Sequence, residues 1–381
     1  MNALPAADDD ARAASFQTLQ EIVAAARARL GPGAWAYLVG GTETEATVRR
    51  NRLALDALAF RPRVLNDVRD AAPTGTCLGL PVRLPIILAP VGGVEAFVAG
   101  GAATSAQAAA AFGIPLMLSS VCQPGLEATA QAADAQRIFQ LYVRGDDAWV
   151  DDWVRRARDN DYSAFCLTVD SAFYSRRERD IIGRYAKPWR PADSAGLAWQ
   201  SALSWREVAR FKDKWDLPLI LKGIATAEDA ALAAEHGVDV VYVSNHGGRQ
   251  LDCGLGSLTV LPEVIAAVAG RAQVWVDGGA MRGSDVLKAL ALGASMVGIG
   301  RLACLGLAAA GAPGLVRTLE LLEEEMRIGL GLLGATRVAH LTPRHLAAAA
   351  PVADHGVLGA FPLLDTQAPP PRQPDSTGAG T

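Results

Sequence analysis

Short apolar runs alternate with segments of helical periodicity from about residue 84 to residue 300 of the chain. Each run has four to six residues and is typical of a strand buried on both faces. Eight such runs predict eight parallel strands, and therefore an α/β fold of the (β/α)8 TIM barrel type. No Gly-x-Gly-x-x-Gly follows any run, which disfavours an open doubly wound sheet. The runs are 84–89, 116–119, 138–141, 164–169, 219–222, 240–243, 274–277 and 296–300, and the intervening helical patterns include 102–112, 147–160, 204–215, 227–236 and 283–292.

Three further helical patterns precede the first strand, at about 16–30, around Trp35 and at 44–55. They predict an N-terminal helical cap on the barrel. The domain plan that follows is a disordered N-terminus (1–14), one (β/α)8 barrel domain with its N-terminal helices (15–365), and a disordered, proline-rich tail (366–381). The stretch 183–201 is longer than a usual βα loop, which is typical of a lid.

Composition excludes several classes of partner. The chain has 381 residues and a net charge of −4, and it lacks a dense run of Lys and Arg, so nucleic acid is not expected as a partner. We find no apolar run of about 18 residues and no signal peptide, which predicts a cytoplasmic enzyme without a membrane partner. The five cysteines are scattered without metal-ligand spacing, which indicates reduced thiols and no metal site.

The stretch 244–252, Ser-Asn-His-Gly-Gly-Arg-Gln-Leu-Asp, follows the sixth apolar run. His246 titrates near neutral pH, and Arg249 can grip a carboxylate in bidentate fashion. Together they suggest a proton-accepting base beside an anion clamp. The alternative is a structural loop in which His246 bonds backbone and Arg249 makes a surface ion pair.

The ends of the other predicted strands also carry polar or flexible residues, as an active site at the mouth of a barrel requires. Asp170 is suited either to capping a turn or to orienting His246, and Lys222 either reaches solvent or supplies a buried cation. The glycine-rich ends of the last two strands predict a phosphate site, although these residues do not identify a cofactor. The set comprises Ala89, Pro90, Val91, Gly92, Ser119, Gln140, Tyr142, Thr168, Asp170, Arg177, Lys222, Asp277, Gly278, Gly279, Gly300 and Arg301.

From about residue 16 to residue 346 the chain resembles the FMN-dependent 2-hydroxy-acid oxidase and dehydrogenase family, which includes glycolate oxidase, lactate oxidase and mandelate dehydrogenase. The resemblance rests on the stretch 244–252, on Lys222-Gly223, on Gln140-Leu141-Tyr142, on Asp277-Gly278-Gly279 and on 288–294. It implies FMN across the barrel mouth and oxidation of an (S)-2-hydroxy acid to the 2-oxo acid. Oxygen or another electron acceptor would complete the cycle, and a homo-oligomer, a tetramer by analogy, is implied.

The resemblance also implies residue roles. His246 would be the base, Asp170 would stabilise its charged form, Lys222 would stabilise reduced flavin, and Tyr142 would touch the 2-hydroxyl. The substrate carboxylate would be held by Arg249, Arg177 and Tyr37. The implied cofactor contacts are Ala89, Pro90, Val91, Gly92, Ser119, Gln140, Thr168, Lys222, Ser244, Asp277, Gly278, Gly279, Arg282, Gly300 and Arg301.

Two departures from the family pattern change the expectations. Met281 stands where relatives usually have an arginine for the FMN phosphate, which predicts weaker FMN binding. Gly92 stands at a position where glycine accompanies slow reaction with oxygen in relatives, which favours a dehydrogenase. Two other functions stay open: a flavin-dependent oxidase of an amine or peptide-derived intermediate, and a barrel that binds a phosphorylated ligand without redox activity.

Overall fold

The apolar runs form the strands of a closed barrel in the computed structural model, which describes residues 7–186 and 196–364. Eight parallel strands are neighbours around the barrel, and the last of them in sequence pairs with the first to close it. The fold class is therefore confirmed. In the described residues the strands are β1 (Leu58–Phe60), β2 (Gly75–Cys77), β3 (Leu80–Val82), β4 (Ile86–Leu88), β5 (Leu116–Ser119), β6 (Arg137–Leu141), β7 (Ala164–Thr168), β8 (Leu219–Ile224), β9 (Val240–Val243), β10 (Gln273–Val276), β11 (Met296–Ile299) and β12 (Leu346–Ala348).

Helices alternate with the barrel strands and also precede them. Most barrel helices lie within a residue or two of the predicted patterns, since a 3.6-residue apolar period is a strong signal. The helices of the described residues are α1 (Ala7–Ser15), α2 (Leu19–Arg29), α3 (Pro32–Val39), α4 (Ala46–Asp56), α5 (Ala102–Phe112), α6 (Leu126–Ala132), α7 (Asp147–Asp159), α8 (Glu178–Ile182), α9 (Leu197–Ser201), α10 (Trp205–Lys214), α11 (Ala227–Glu235), α12 (Ser257–Val268), α13 (Gly283–Ala291) and α14 (Arg301–Leu332).

The N-terminus corrects one expectation. The disordered segment 1–14 is wrong for residues 7–14, because α1 is helical and packs against α14. Three aspartates occupy its first turn, where they favour the positive end of the helix dipole, and Ala13 is buried. The predicted tail, 366–381, and the middle of the predicted lid, 187–195, lie outside the described residues.

The barrel interior is filled by side chains, so the space for a ligand is at one end. Buried residues from successive strands meet inside it, the largest of them Trp275 and Tyr242. The β2–β3 hairpin contributes Cys77 and Val82 to the same cluster and thereby covers the amino-terminal end of the strands. A larger apolar cluster lies between the strands and the surrounding helices. The carboxyl ends of the strands are left to form the site.

One helix, α14, is long and apolar enough to cross a membrane by length and composition alone. The sequence pattern did not identify it as a continuous apolar run. Most of its apolar window is buried inside the molecule, and the backbone leaves helical geometry at Ala310 and Gly311. A buried core helix passes the same test, so α14 is weak evidence for a membrane span.

Candidate active site at the barrel mouth

A cavity of about 1210 Å³, including its open mouth, lies at the carboxyl ends of the strands. Most of the residues predicted from the strand ends line it. These are Tyr37, Ala89, Pro90, Val91, Gly92, Tyr142, Arg177, Lys222, His246, Arg249, Asp277, Gly278, Gly279, Gly300 and Arg301.

His246 stands between a carboxylate and a phenol. Its Nδ1 lies 3.1 Å from Asp170 Oδ1, and its Nε2 lies 3.1 Å from the Tyr142 hydroxyl. The backbone of His246 has φ 58°, and its N–H donates to Ser244 Oγ, so a left-handed turn directly after β9 aims the ring into the cavity. The structure thus brings together three residues from β6, β7 and β9 that the sequence predicted as a group.

Burial sets the protonation of this group. It lowers the pKa of His246, although the neighbouring Asp170 opposes the shift. Burial alone would raise the pKa of Asp170, but His246 and Lys222 outweigh it and lower that pKa. Burial and Asp170 raise the pKa of Tyr142, so its hydroxyl stays protonated. At neutral pH the site therefore holds a neutral imidazole beside an ionised carboxylate, as a general base requires.

Lys222 is a buried cation held by the next two strands. Its Nζ donates to Ser244 Oγ at 2.7 Å and lies 3.1 Å from Asp277 Oδ2. Ser244 Oγ in turn donates to Asp277 Oδ1 at 2.6 Å. Burial would lower the pKa of Lys222, but Asp277 and Asp170 raise it above its usual value. The ammonium is therefore permanently charged and fixed in position under the cavity.

Two guanidiniums lie at the same cavity. Arg249 donates through one nitrogen to the carbonyls of Tyr37 and Gly40, and Arg177 donates through Nε to Ser175 Oγ and to the Arg249 carbonyl. Burial and the nearby Arg177 lower the pKa of Arg249. The Tyr37 ring lies beneath Arg249, and its hydroxyl donates to the Gly92 carbonyl at 3.0 Å. The two arginines keep further N–H groups for an anion.

The loop after β10 and the start of α14 form the predicted phosphate end. Gly278 and Gly279 have φ of 115° and 94°, and a Cβ on Gly278 would come within 2.5 Å of Ser257 Oγ, so the turn requires glycine. Arg301 lines the cavity and donates to three backbone carbonyls, among them Gly247. Burial lowers the pKa of Arg301 to about 9, which leaves it cationic at neutral pH.

The neighbouring Arg282 corrects the predicted cofactor set. Its guanidinium pairs with Glu325 at 2.5 Å and lies over the Phe361 ring, and it does not line the cavity. Arg282 is the N-cap residue of α13. Met281, in contrast, is buried and lines the cavity. Of the two arginines predicted to contact the phosphate, Arg282 and Arg301, only Arg301 therefore lines the cavity and is available to it.

The sequence patterns missed two residues at or near the site, Asn51 and Arg144. Asn51 of α4 exchanges two side-chain hydrogen bonds with Asn245, at 2.9 and 2.7 Å, across 194 residues of sequence. Arg144 also lines the cavity. Its place two residues after Tyr142, at a strand end, is a signal that the strand-end rule could have used.

Comparisons with known proteins agree with this geometry. A family model described as FMN-dependent dehydrogenase matches residues 26–348. Glycolate oxidase 1 of Zea mays is 38% identical over 349 residues, covering 86% of this chain and 95% of the maize protein. The peroxisomal (S)-2-hydroxy-acid oxidase of Oryza sativa subsp. japonica is 39% identical over 333 residues, covering 82% and 91%. A crystal structure of mandelate oxidase has a TM-score of 0.82 at 38% identity, covering 89% of this chain and 100% of that one.

Fold and site define an oxidoreductase barrel with a buried base and a phosphate-binding end. The chain belongs to the FMN-dependent dehydrogenase family. The predicted family and its FMN cofactor are thereby confirmed.

The residues under the cavity fit a flavin. Both side-chain amide atoms of Gln140 and the Thr168 hydroxyl are buried without a hydrogen-bond partner among the described residues. Buried polar groups are normally paired, so these atoms indicate a polar ring that completes them. Ser119 is buried at the end of β5 and Ser244 directly after β9, and these four residues lie outside the cavity lining itself. They and Lys222 would hold the ring, while Gly278, Gly279 and Arg301 would hold the phosphate.

Proposed function

We propose that the protein oxidises an (S)-2-hydroxy acid to the corresponding 2-oxo acid with FMN. The observation that carries this proposal is that His246, the Lys222 ammonium and the guanidiniums of Arg177 and Arg249 line one cavity, with Asp170 at Nδ1 of His246. A base, a cation and a carboxylate clamp are the groups that this reaction needs. The names of the maize, rice and mandelate relatives support a 2-hydroxy acid, and the rice name supports the (S) configuration.

Each residue has a defined task in this proposal. Arg177 and Arg249 hold the substrate carboxylate through their remaining N–H groups, and Tyr37 supports Arg249. His246 Nε2 accepts the proton that the substrate gives up, and Asp170 stabilises the imidazolium that results. Tyr142 donates its hydroxyl hydrogen within reach of the same position. Bound FMN supplies the acceptor for the two electrons, and Lys222 stabilises negative charge there.

An anaerobic substrate panel tests the proposal. Lactate, glycolate, mandelate and longer 2-hydroxy acids are mixed with the FMN-loaded enzyme, and at least one is expected to bleach the flavin absorbance. His246→Gln should slow bleaching by about 10²–10⁴-fold or more with flavin still bound, because the base is lost. The exposed His340→Gln is the matched control and should bleach at the parent rate. Unchanged bleaching in His246→Gln would contradict the assignment.

Two observations favour different electron acceptors for the reduced flavin. The named relatives are oxidases, which supports oxygen, whereas Gly92 supports slow reaction with oxygen and a separate acceptor. Comparing reoxidation of the reduced enzyme by oxygen and by a quinone decides between them.

We further propose a cytoplasmic homo-oligomer. Five unpaired cysteines support a reducing compartment, and the assembly rests on family resemblance.

A further inference from the structure

The cavity contains a guanidinium that the proposed reaction does not use, that of Arg144. Arg144 lines the same cavity as Tyr142, Arg177 and His246, and its side chain is partly buried. A charged side chain at a cavity wall loses hydration and normally gains a partner in return. The question is therefore which anion this guanidinium meets.

Arg144 follows Tyr142 by two residues beyond the end of β6, and the intervening Val143 is buried. Alternating side chains of an extended segment share a face at every second residue, so Arg144 extends the Tyr142 side of the cavity by about 6.6 Å. The segment is fixed, because Val143 N–H donates to Gln200 Oε1 at 2.6 Å.

Arg144 has no ion-pair or hydrogen-bond partner among residues 7–186 and 196–364. Nearby arginines behave differently: Arg155 and Arg156 on α7 both pair with carboxylates. Burial lowers the pKa of Arg144, and Tyr142 is the ionisable group that offsets the shift. The guanidinium is thus partly desolvated without the compensation that its neighbours receive.

The arginine is also held in place. Its stem packs against Gly196, where a Cβ would come within 3.1 Å of Arg144 Cδ. Apolar side chains line the same mouth, among them Val121, Phe173 and Leu197. A ligand that fits this arrangement has an apolar middle and an anionic end.

We propose that Arg144 binds a second anion on the substrate, so that the preferred substrate is a 2-hydroxy acid whose side chain ends in a carboxylate or a phosphate. This proposal rests on the proposed function, since it assigns the substrate class of the same site. The 2-hydroxy carboxylate end lies at Arg177 and Arg249, and the side chain runs past Val121 and Leu197 to Arg144.

Matched pairs of acids test it on the FMN-loaded enzyme. Malate, 2-hydroxyglutarate and 2-hydroxyadipate are each compared with the 2-hydroxy monocarboxylic acid of the same carbon number, whose side chain is uncharged. Likewise, 3-phosphoglycerate is compared with glycerate. The measurements are the anaerobic rate of flavin bleaching and the Kd of the matching 2-oxo acids from flavin absorbance. We expect one anionic acid to exceed its neutral partner by about 10- to 100-fold in rate over Kd, the size of a charge-assisted pair. The dicarboxylate and phosphate arms identify the anion.

Variants then test the residue. Arg144→Gln should bring that ratio down to about one, and Arg144→Lys should restore part of it, because the charge returns without the planar fork. Arg155→Gln, an exposed arginine of α7, should keep the parent ratio. Ratios near one in the parent enzyme, or a ratio that survives Arg144→Gln, would overturn the assignment while neutral acids still bleach the flavin. Absence of bleaching by every acid would instead overturn the proposed function.

Discussion

The chemistry of the site depends on how His246 is held at both ring nitrogens. Asp170 at Nδ1 keeps the ring oriented, and it leaves Nε2 toward Tyr142 and the cavity. Asp170 also opposes the effect of burial on the pKa of His246. One carboxylate therefore controls both the orientation and the proton affinity of the base.

The pH dependence of substrate oxidation follows from these shifts. A base works when neutral, and burial lowers the pKa of His246, so the acid limb of the flavin-bleaching rate should have its midpoint below about pH 6.5. Asp170→Asn removes the group that raises this pKa, and it should move the limb to lower pH and cut the maximal rate by about 10²–10⁴-fold. Stopped-flow bleaching across about pH 5 to 8 measures both effects.

The exposed Asp134→Asn is the control for that experiment and should keep the parent pH profile. A midpoint above the usual histidine pKa, or an unmoved limb in Asp170→Asn, would contradict the assigned pair.

At this scale the sequence predicts the residues that follow strand ends, because a barrel brings all eight ends to one mouth. His246, Asp170 and Lys222 were found in this way. The sequence does not reveal side-chain direction: Arg282 and Met281 are adjacent, yet the arginine points to Glu325 and the methionine to the cavity.

At the scale of elements, the loop that carries His246 is attached to helix α4. The carboxylate of Asp252 accepts hydrogen bonds from Thr44 N, Thr44 Oγ1 and Thr47 N at 2.9, 2.6 and 2.9 Å. The N-cap residue of α4, Glu45, makes no side-chain cap of its own, so Asp252, from a distant part of the chain, satisfies the free first-turn N–H of Thr47 and holds Thr44 just before the helix. The last residue of the signature stretch 244–252 therefore has a structural task.

Asp252→Ala should lower the free energy of unfolding by about 0.5–2 kcal/mol at neutral pH, because α4 loses its cap. The hydrogen bonds lower the pKa of Asp252 to about 2, from 3.8. A carboxylate with a depressed pKa stabilises the folded state above its unfolded value, and this contribution is lost as the pH falls from about 4 toward 2. Urea unfolding should therefore show a difference between parent and variant that shrinks in acid. A difference that persists there, or one equal to that of the exposed Asp134→Ala, would count against the cap.

Elements were predicted well where they are long or wholly buried. The eight barrel strands have buried residues throughout most of their length, and that composition is visible in the sequence. The β1–β12 pair and the β2–β3 hairpin were missed, since each strand has three residues and exposed positions. α12 was missed because its interior contains Pro262 and its pattern is apolar on most sides.

At the scale of the molecule, the N-terminal helices complete the site. Carbonyls at the end of α3, those of Tyr37, Leu38 and Gly40, hold the guanidiniums of Arg249 and Arg301. These carbonyls are the unpaired groups that every helix end presents, and cations there also suit the helix dipole. The predicted cap is therefore part of both the substrate clamp and the phosphate end. Sequence patterns identify such helices but not their contacts, which join residues more than 200 positions apart.

A buried ion pair fastens this cap to the phosphate end of the barrel. Arg52 of α4 makes two hydrogen bonds of 2.8 Å to Asp285 of α13, and both side chains are buried. Asp285 also accepts from the backbone N–H groups of Met281 and Arg282. The pair thus holds the loop that follows β10.

Arg52→Leu should lower the free energy of unfolding by about 3–5 kcal/mol, since it leaves the Asp285 carboxylate buried and unpaired. It should also weaken FMN retention, because the loop at Met281 loses its support. Denaturant unfolding and flavin fluorescence on dilution measure the two effects. Arg69→Leu is the matched control: it breaks an equally well-formed Arg69–Asp67 pair that is exposed, and water screens such pairs, so it should change stability little. Adding Asp285→Asn to Arg52→Leu should recover part of the loss, because the unpaired charge is then removed. Equal effects of Arg52→Leu and Arg69→Leu, or no recovery in the double variant, would show that burial of this pair is not what fastens the cap.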